Sequence, residues 1–348
     1  MSNEVLAADV FYRMAMSPED LERLPRYRHL LDALARSSVA RQLLDAAPAE
    51  QRHPMLVLAA LHFNALRGDA ELAPLYEAIS QIDPEEFARG VVEALERDPT
   101  LVSAHLHRRT QTNEAGRSAI LAQVLRALAL RGVDDIHLID VGTSMGLNLY
   151  PDRYRTNARD ADDLLNFNVD VLANTLLESP LPAIHERVGI DLHPLDPHDD
   201  DDVQWLKACL WPEEPLRRRR LDAMLAVIVS WPAARRVKGS ALEVIDGVID
   251  SCPRDATPVV FHSWVAAYFS DDDQVAWRRA MMRHSRERAI WIYFEYPPAV
   301  RGLGSPVNAT PSPRKGGSQI VVTERGRDQV SWGWTHPHGR WIAMNPPD

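Results

Sequence analysis

The sequence predicts an α/β protein in two parts: an all-helical domain over residues 1–131, then an alternating helix–strand domain over residues 132–348. Three observations carry this. Before residue 135 there are helix start signals and no apolar run of strand type. From Ile136 onward, short apolar runs bounded by turn residues alternate with helical patterns, as in a largely parallel sheet. The first run ends in a glycine turn, "IDVGTSMGLNL" (Ile139 to Leu149), at the place where such sheets meet ligands.

In chain order, Ser17-Pro18-Glu19-Asp20 reads as a cap followed by a first-turn proline and acids. Met55 to Leu61 is apolar nearly all round and predicts a helix buried on several sides. Asp83-Pro84-Glu85-Glu86 repeats the start signal. Ile136 to Ile139 reads as the first strand of the sheet, with a helix expected to begin at Met145. Further strands are predicted at Arg187 to Ile190, Pro258 to Phe261 and Ala289 to Phe294, with Gln319 to Thr323 and Val330 to Trp334 as a closing antiparallel pair. Asp152 to Ala183 reads as an insertion, and the Pro-, Gly- and Ser-rich span from Pro297 to Ser318 as a long mobile loop. The nine tryptophans all follow residue 200, most of them as core or strand-face residues.

A formal charge of −10 excludes a protein that coats nucleic acid through a basic face. Arg217 to Arg220 stands beside Glu213 and Glu214 and reads as a solvated helix face. No apolar segment is long enough for a membrane span, and the N-terminus lacks a signal-peptide pattern, so a soluble cytoplasmic protein is expected. Cys209 and Cys252 are too few for a disulfide framework or a cysteine-based zinc site and read as core residues. His336-Pro337-His338 lacks a third ligand, so no metal is expected. The acidic run Asp199 to Asp202 reads as a solvated loop or helix start.

The glycine turn admits two chemistries. G-T-S-M-G fits the elbow that presents a nucleophilic serine, and D-x-G-x-x-x-G fits a turn that lets a nucleotide-like ligand approach a strand end. An elbow sits on a strand laid down after several others, whose loops complete the oxyanion hole. Here the preceding residues read as helical, which favours the ligand turn, with Asp140, Gly142, Ser144, Gly146 and Asn148 lining it. Asp191, ending the next predicted strand about 45 residues beyond the turn, suits ribose hydroxyls.

"QTNEAGR" (Gln111 to Arg117), "GTSMGLNL" (Gly142 to Leu149), "DRYR" (Asp152 to Arg155), "GIDLHPLD" (Gly189 to Asp196) and "CLWPEE" (Cys209 to Glu214) occur in this order. Together they resemble a bacterial methyltransferase-like family of unknown function, over roughly residues 50 to 345. That resemblance implies a Rossmann-type (class I methyltransferase-like) domain binding S-adenosylmethionine behind a helical lid. Met145 stands where a small residue is expected, and Ser240 where such proteins often carry Asp. The family is similar to azetidine-2-carboxylate synthases, in which the substrate's own amine attacks its γ-carbon and expels methylthioadenosine. A small-molecule methyltransferase and a non-catalytic cofactor-binding protein are the alternatives. Gln111, Asn113, Glu114 and Arg117 either cap the last helix of the helical part or, as the resemblance implies, reach the methionyl carboxylate and amine. Tyr154 and Arg155 either clamp a carboxylate or pack the insertion. His262 and Tyr296 follow strands on the expected binding edge, where an aromatic ring can face the sulfonium. The expected set is thus Asn113, Glu114, Tyr154 and Tyr296 for catalysis, and Gln111, Asp140, Gly142, Ser144, Gly146, Asn148, Asp191, Ser240 and His262 for the cofactor.

Overall fold

The structure, a computed structural model, describes residues 23–158, 163–324 and 326–347. The start signal at Ser17 to Asp20 lies outside the described residues. The chain forms two compact units. One joins the described residues up to Thr112 with Asp196–Leu225; the other joins Asn113–Leu195 with the chain from Ala226 onward.

The first unit is helical. Its helices are α1 (Pro25–Arg36), α2 (Ser38–Ala46), α3 (Pro54–Leu66), α4 (Leu72–Glu77), α5 (Pro84–Arg97) and α6 (Thr100–Ser103). Ten of the thirteen α3 residues are buried, as its all-round apolar sequence predicts. Asp83 caps α5 by accepting from Glu85 N and Glu86 N at 2.9 and 3.2 Å. Residues 196–225 bring α8 (Asp200–Ala208) and most of α9 (Pro215–Ile228). Trp205 on α8 sits edge-on to Phe63 and donates its indole N–H to Arg109 O at 2.7 Å. The acidic run is a helix start, with Asp199 Oδ1 accepting from Asp201 N and Asp202 N.

The second unit holds α7 (Gly116–Ala129), α10 (Ala241–Ser251), α11 (Asp271–Glu287) and a nine-stranded, mostly parallel sheet. The strands are β1 (Asp135–Val141), β4 (Asp170–Ala173), β5 (Ala183–Asp191), β6 (Arg235–Lys238), β7 (Thr257–Ser263), β8 (Ile290–Glu295), β9 (Ser318–Thr323), β10 (Val330–Thr335) and β11 (Trp341–Met344). Two short strands, β2 (Arg155–Thr156) and β3 (Asn166–Phe167), pair separately. The sheet order is β4-β11-β10-β9-β8-β7-β1-β5-β6. The five strands from β8 to β6 are mutually parallel, and β8 through β11 run antiparallel in succession. The chain therefore starts in the middle of the parallel set, fills the β5–β6 side, then returns to fill the β7–β8 side.

Side chains alternate along β1. Ile139 and Val141 join Val188 and Ile190 of β5 in a core with Ile245, Val248 and Ile249 of α10 and Trp277 and Met281 of α11. Leu138 and Asp140 point to the opposite face.

Two expectations are corrected, on the glycine turn and on the span after Pro297. The glycine turn opens a single 3₁₀ turn, Leu147–Leu149, not an α-helix, because Gly146 enters it left-handed (φ 89°) and Pro151 follows its cap residue Tyr150. The compact units divide after Thr112, and α7, with twelve of its fourteen residues buried, lies in the unit that holds the sheet. The start of the span from Pro297 is packed, whereas most of residues 304–316 are exposed. Gln274 on α11 donates to Ala299 O and accepts from Gly302 N at 3.0 Å each, while Val300 and Leu303 are buried.

Candidate functional site

The carboxyl end of β1 carries the densest set of buried polar groups that the sequence singled out. Asp140, 2% exposed, accepts a hydrogen bond from Thr143 Oγ1 at 2.9 Å. Burial pushes its carboxyl up to about 7, against the Thr143 hydroxyl, with the charge of Asp191 adding to the rise and Arg117 opposing it. Gly142 is left-handed (φ 73°), and a Cβ there would lie 2.2 Å from Val265 Cγ2, so the turn requires glycine. Its N–H and that of Thr143 both reach Ile190 O on β5.

Ser144 is also left-handed (φ 54°) and buried. Its backbone N–H donates to Asp191 Oδ2 at 2.9 Å, and its Oγ has no hydrogen-bond partner. The serine-nucleophile reading therefore lacks a base within reach of that oxygen. Asp191, half-buried at the end of β5, also accepts from His193 N at 2.9 Å through Oδ1. A carboxylate has about four acceptor positions, so these two bonds leave capacity for hydroxyl donors.

Residues before and within α7 brace the turn from outside. Asn113 Oδ1 accepts from Leu147 N at 2.9 Å, and Asn148 Oδ1 accepts from Ser118 Oγ at 3.0 Å. Arg117 donates to Pro337 O and Ser263 O at 2.8 and 3.0 Å. Glu114 Oε2 stands 3.3 Å from His338 Nδ1. A Cβ on Gly339 would lie 2.2 Å from Gly116 O, so this turn passes hard against the start of α7.

The strands on either side extend this edge. Ser240 follows β6 as the cap of α10, and its side chain makes no capping bond. Beyond β7, Trp264 is left-handed (φ 59°) and donates its indole N–H to Ser318 Oγ at 2.8 Å. Its ring lies parallel to that of Tyr296 after β8, centroids 6.2 Å apart, and Tyr296 remains 36% exposed.

The structure thus gathers Asn113, Asp140, Gly142, Ser144, Gly146, Asn148 and Asp191 on one edge, with Ser240 and Tyr296 farther along it. Three candidates fall elsewhere. His262 is core: Nδ1 meets Glu295 Oε1 at 2.9 Å, Nε2 accepts from Trp277 Nε1 at 3.2 Å, and the ring stacks on Tyr293. Tyr154 is buried against Phe167 and Trp231 and gives its hydroxyl proton to Leu147 O at 2.9 Å, so it packs the insertion. Gln111 belongs to the helical unit, where its N–H meets Cys209 Sγ. The "CLWPEE" motif is likewise structural there, Glu213 accepting from Arg26 N and Tyr27 N at the start of α1.

Thr143 has no marked role in the sequence, and Glu295 stands out there only as a strand-end residue beside Tyr296. Glu295 is fully buried, and its Oε1 accepts from Val265 N and Ala266 N at 2.9 and 3.0 Å, which fixes the loop after β7. An acid ending an otherwise apolar strand was its available signal.

Among the described residues, no helix is long and apolar enough to cross a membrane. No curated protein is similar to the chain at a significant level. Residues 9–344 match the family of uncharacterized proteins conserved in bacteria, DUF2332, and the chain belongs to it.

Proposed function

We propose that the β1–β5 edge binds S-adenosylmethionine and that the protein consumes it. The observation that carries this is the turn after β1: a buried acid, a left-handed glycine, an unpartnered buried hydroxyl and a facing strand-end acid, on the first strand of a sheet whose order reverses there. In open α/β sheets the reversal leaves a crevice at the carboxyl strand ends, where nucleotide-like ligands bind. This order supports a Rossmann-type, methyltransferase-like fold.

In this reading Asp191 takes the ribose hydroxyls, the Gly142–Gly146 turn lets the ligand approach the backbone, and Ser240 borders the adenine side. Asp140 faces the methionyl amine, with Asn113 and Asn148 holding the turn. Trp264 and Tyr296 offer aromatic faces to the sulfonium, an attraction worth roughly 0.5–2 kcal/mol each.

The reaction we assign is cyclisation to azetidine-2-carboxylate with release of methylthioadenosine, and it rests on the motif resemblance. The leaving group is already activated, so the site has to fold the aminoalkyl chain, leave its nitrogen unprotonated and exclude water. A carboxyl poised near neutrality suits the second task, since Asp140 can accept a proton from the ammonium form. Glu114, 3.3 Å from His338 Nδ1, stands on the same edge as a second acid for the methionyl amine.

The test is incubation with S-adenosylmethionine alone, followed by mass spectrometry. Methylthioadenosine with an equimolar cyclic C4 amino acid, above spontaneous decay, is the expected result. Bound but unchanged cofactor would replace cyclisation with methyl transfer to a small molecule, or with a non-catalytic binding role. Failure to bind at millimolar concentration would overturn the site itself.

A further inference from the structure

The opposite end of β1 carries a second cluster, independent of the proposed use of S-adenosylmethionine. His137 lies near the amino end of the strand and is 4% exposed. Neither of its ring nitrogens has a hydrogen-bond partner. Glu186 Oε2 on β5 stands 3.7 Å from His137 Nδ1, beyond hydrogen-bond range. Cys252, 3% exposed, closes α10 on the same face of the sheet. One imidazole nitrogen, one carboxylate oxygen and the thiol sulfur all lie within 4.8 Å of one another.

The strand register builds this arrangement. A bulge between Ile136 and His137 makes His137 face Glu186 rather than His185. Bulges re-aim side chains and concentrate at functional positions. A buried histidine with two unsatisfied nitrogens is a cost, typically about 1–3 kcal/mol per group, that a bound ligand would offset.

We propose that His137, Glu186 and Cys252 form a zinc(II) site, with solvent as the fourth ligand. The donor set is nitrogen, oxygen and thiolate sulfur, the borderline combination that suits zinc. Bonds of about 2.0–2.3 Å in a tetrahedron separate ligand atoms by about 3.4 Å, so the 3.7 Å pair is already near its bound spacing. Three protein ligands leave one position open, and the Glu186 side chain is 33% exposed, which gives solvent access.

The surroundings orient the ligands. Arg235 Nε donates to Glu186 Oε1 at 2.9 Å, leaving Oε2 turned toward His137. Arg288 donates to Ile249 O, Cys252 O and Pro253 O, fixing the backbone that carries the thiol. Such outer partners hold ligand geometry. The two arginines place positive charge beside the cluster, with Asp255 and His185 also within electrostatic reach of His137. A thiolate and a carboxylate together neutralise the ion, so the bound site adds no net charge against them. Binding breaks the S–H bond of Cys252, now donated to Val248 O, forms the metal–sulfur bond and releases one proton to solvent.

Two cysteines make no zinc motif in the sequence. The three ligands come from two strands and a helix end, so no spacing announces them.

Cobalt(II) is the probe. Full-length protein, stripped with a chelator, is titrated with cobalt(II) and then with zinc(II). One equivalent of tetrahedral cobalt with a thiolate-to-metal charge-transfer band, displaced by zinc, is expected. Cys252→Ser should lose that band, Cys209→Ser should keep it, and His137→Ala should weaken binding about tenfold or more. The wild-type spectrum needs no variant to fold, and no thiolate band in it overturns the proposal. A band that survives in Cys252→Ser, or vanishes in Cys209→Ser, overturns it as well.

Discussion

Replacing Asp140 with Asn tests whether the buried carboxyl is held near neutrality. In the folded protein it titrates at about 7, against 3.8 for an ordinary aspartate, and burial is the main cause. A carboxyl whose affinity for protons rises on folding stabilises the fold while both states are protonated, and that contribution is lost as pH climbs through the folded value. The window runs from about pH 4 to about pH 7. Roughly three units at 1.36 kcal/mol each give up to about 4 kcal/mol over it. Asparagine keeps the shape and an acceptor for Thr143 Oγ1 but does not ionise, so its stability lacks this slope. Urea unfolding of both proteins across the window should show wild type losing about 4 kcal/mol relative to Asp140→Asn as pH rises. A stability difference that stays constant with pH would refute the reasoning. It would mean that Arg117 and the Thr143 hydroxyl stabilise the anion as well as water does.

Three further perturbations follow from the same edge. Asp191→Ala removes a charged acceptor from Ser144 N and His193 N and should weaken S-adenosylmethionine binding roughly ten- to hundredfold by calorimetry, as loss of a charged hydrogen bond implies. Ser144→Ala should leave turnover within about tenfold; a collapse of activity to background would instead restore a nucleophilic role for the serine. Gly189→Ala puts a Cβ 2.5 Å from Thr143 Cγ2, and because Thr143 is tied to Asp140 the neighbour cannot yield freely. A loss of about 1–3 kcal/mol in urea unfolding is expected, and unchanged stability would show the turn to be softer than this geometry implies.

The strands that were legible in the sequence are the interior ones. β1, β5, β7, β8, β9 and β10 each contain an apolar run, because a strand covered on both faces must be apolar along its length. The strands of the large sheet that were missed are β4 and β6, which form its two edges, and β11 beside β4; the short pair β2–β3 was missed as well. "DVLA" is exposed throughout and "RRVK" carries three cations, as edge strands do to discourage further pairing. The unit to which α7 belongs is hard to read from sequence for a related reason. Nearly all-round burial of α7 identifies a surrounded helix, but the pattern cannot say what surrounds it. Among the site residues, the glycine turn and its facing acid were readable because a left-handed backbone and a strand-end carboxylate leave local marks. Tyr154 and His262 were not, because the hydroxyl and imidazole partners that commit them to packing come from distant segments.

β1 shows how one strand can serve both ends of a sheet. Its odd-numbered side chains, His137, Ile139 and Val141, share a face with α10, and the polar member sits where the apolar layer runs out at the amino end. Asp140 sits on the other face at the carboxyl end, where Gly142 turns the chain away. A polar group within a central strand is costly wherever water cannot reach it, so both must be matched by partners. Asp140 has Thr143 and a raised proton affinity. His137 has neither a hydrogen bond nor exposure, only a carboxylate oxygen and a thiol sulfur within 4.8 Å. The fold therefore treats the two residues differently, and the unsatisfied one carries the stronger physical demand for a ligand. If both ends are occupied, chelation of the metal should lower thermal stability without changing S-adenosylmethionine affinity, because the apolar Leu138–Ile139 stretch separates the two sites. A cofactor affinity that falls together with metal loss would show instead that the strand transmits the state of one end to the other.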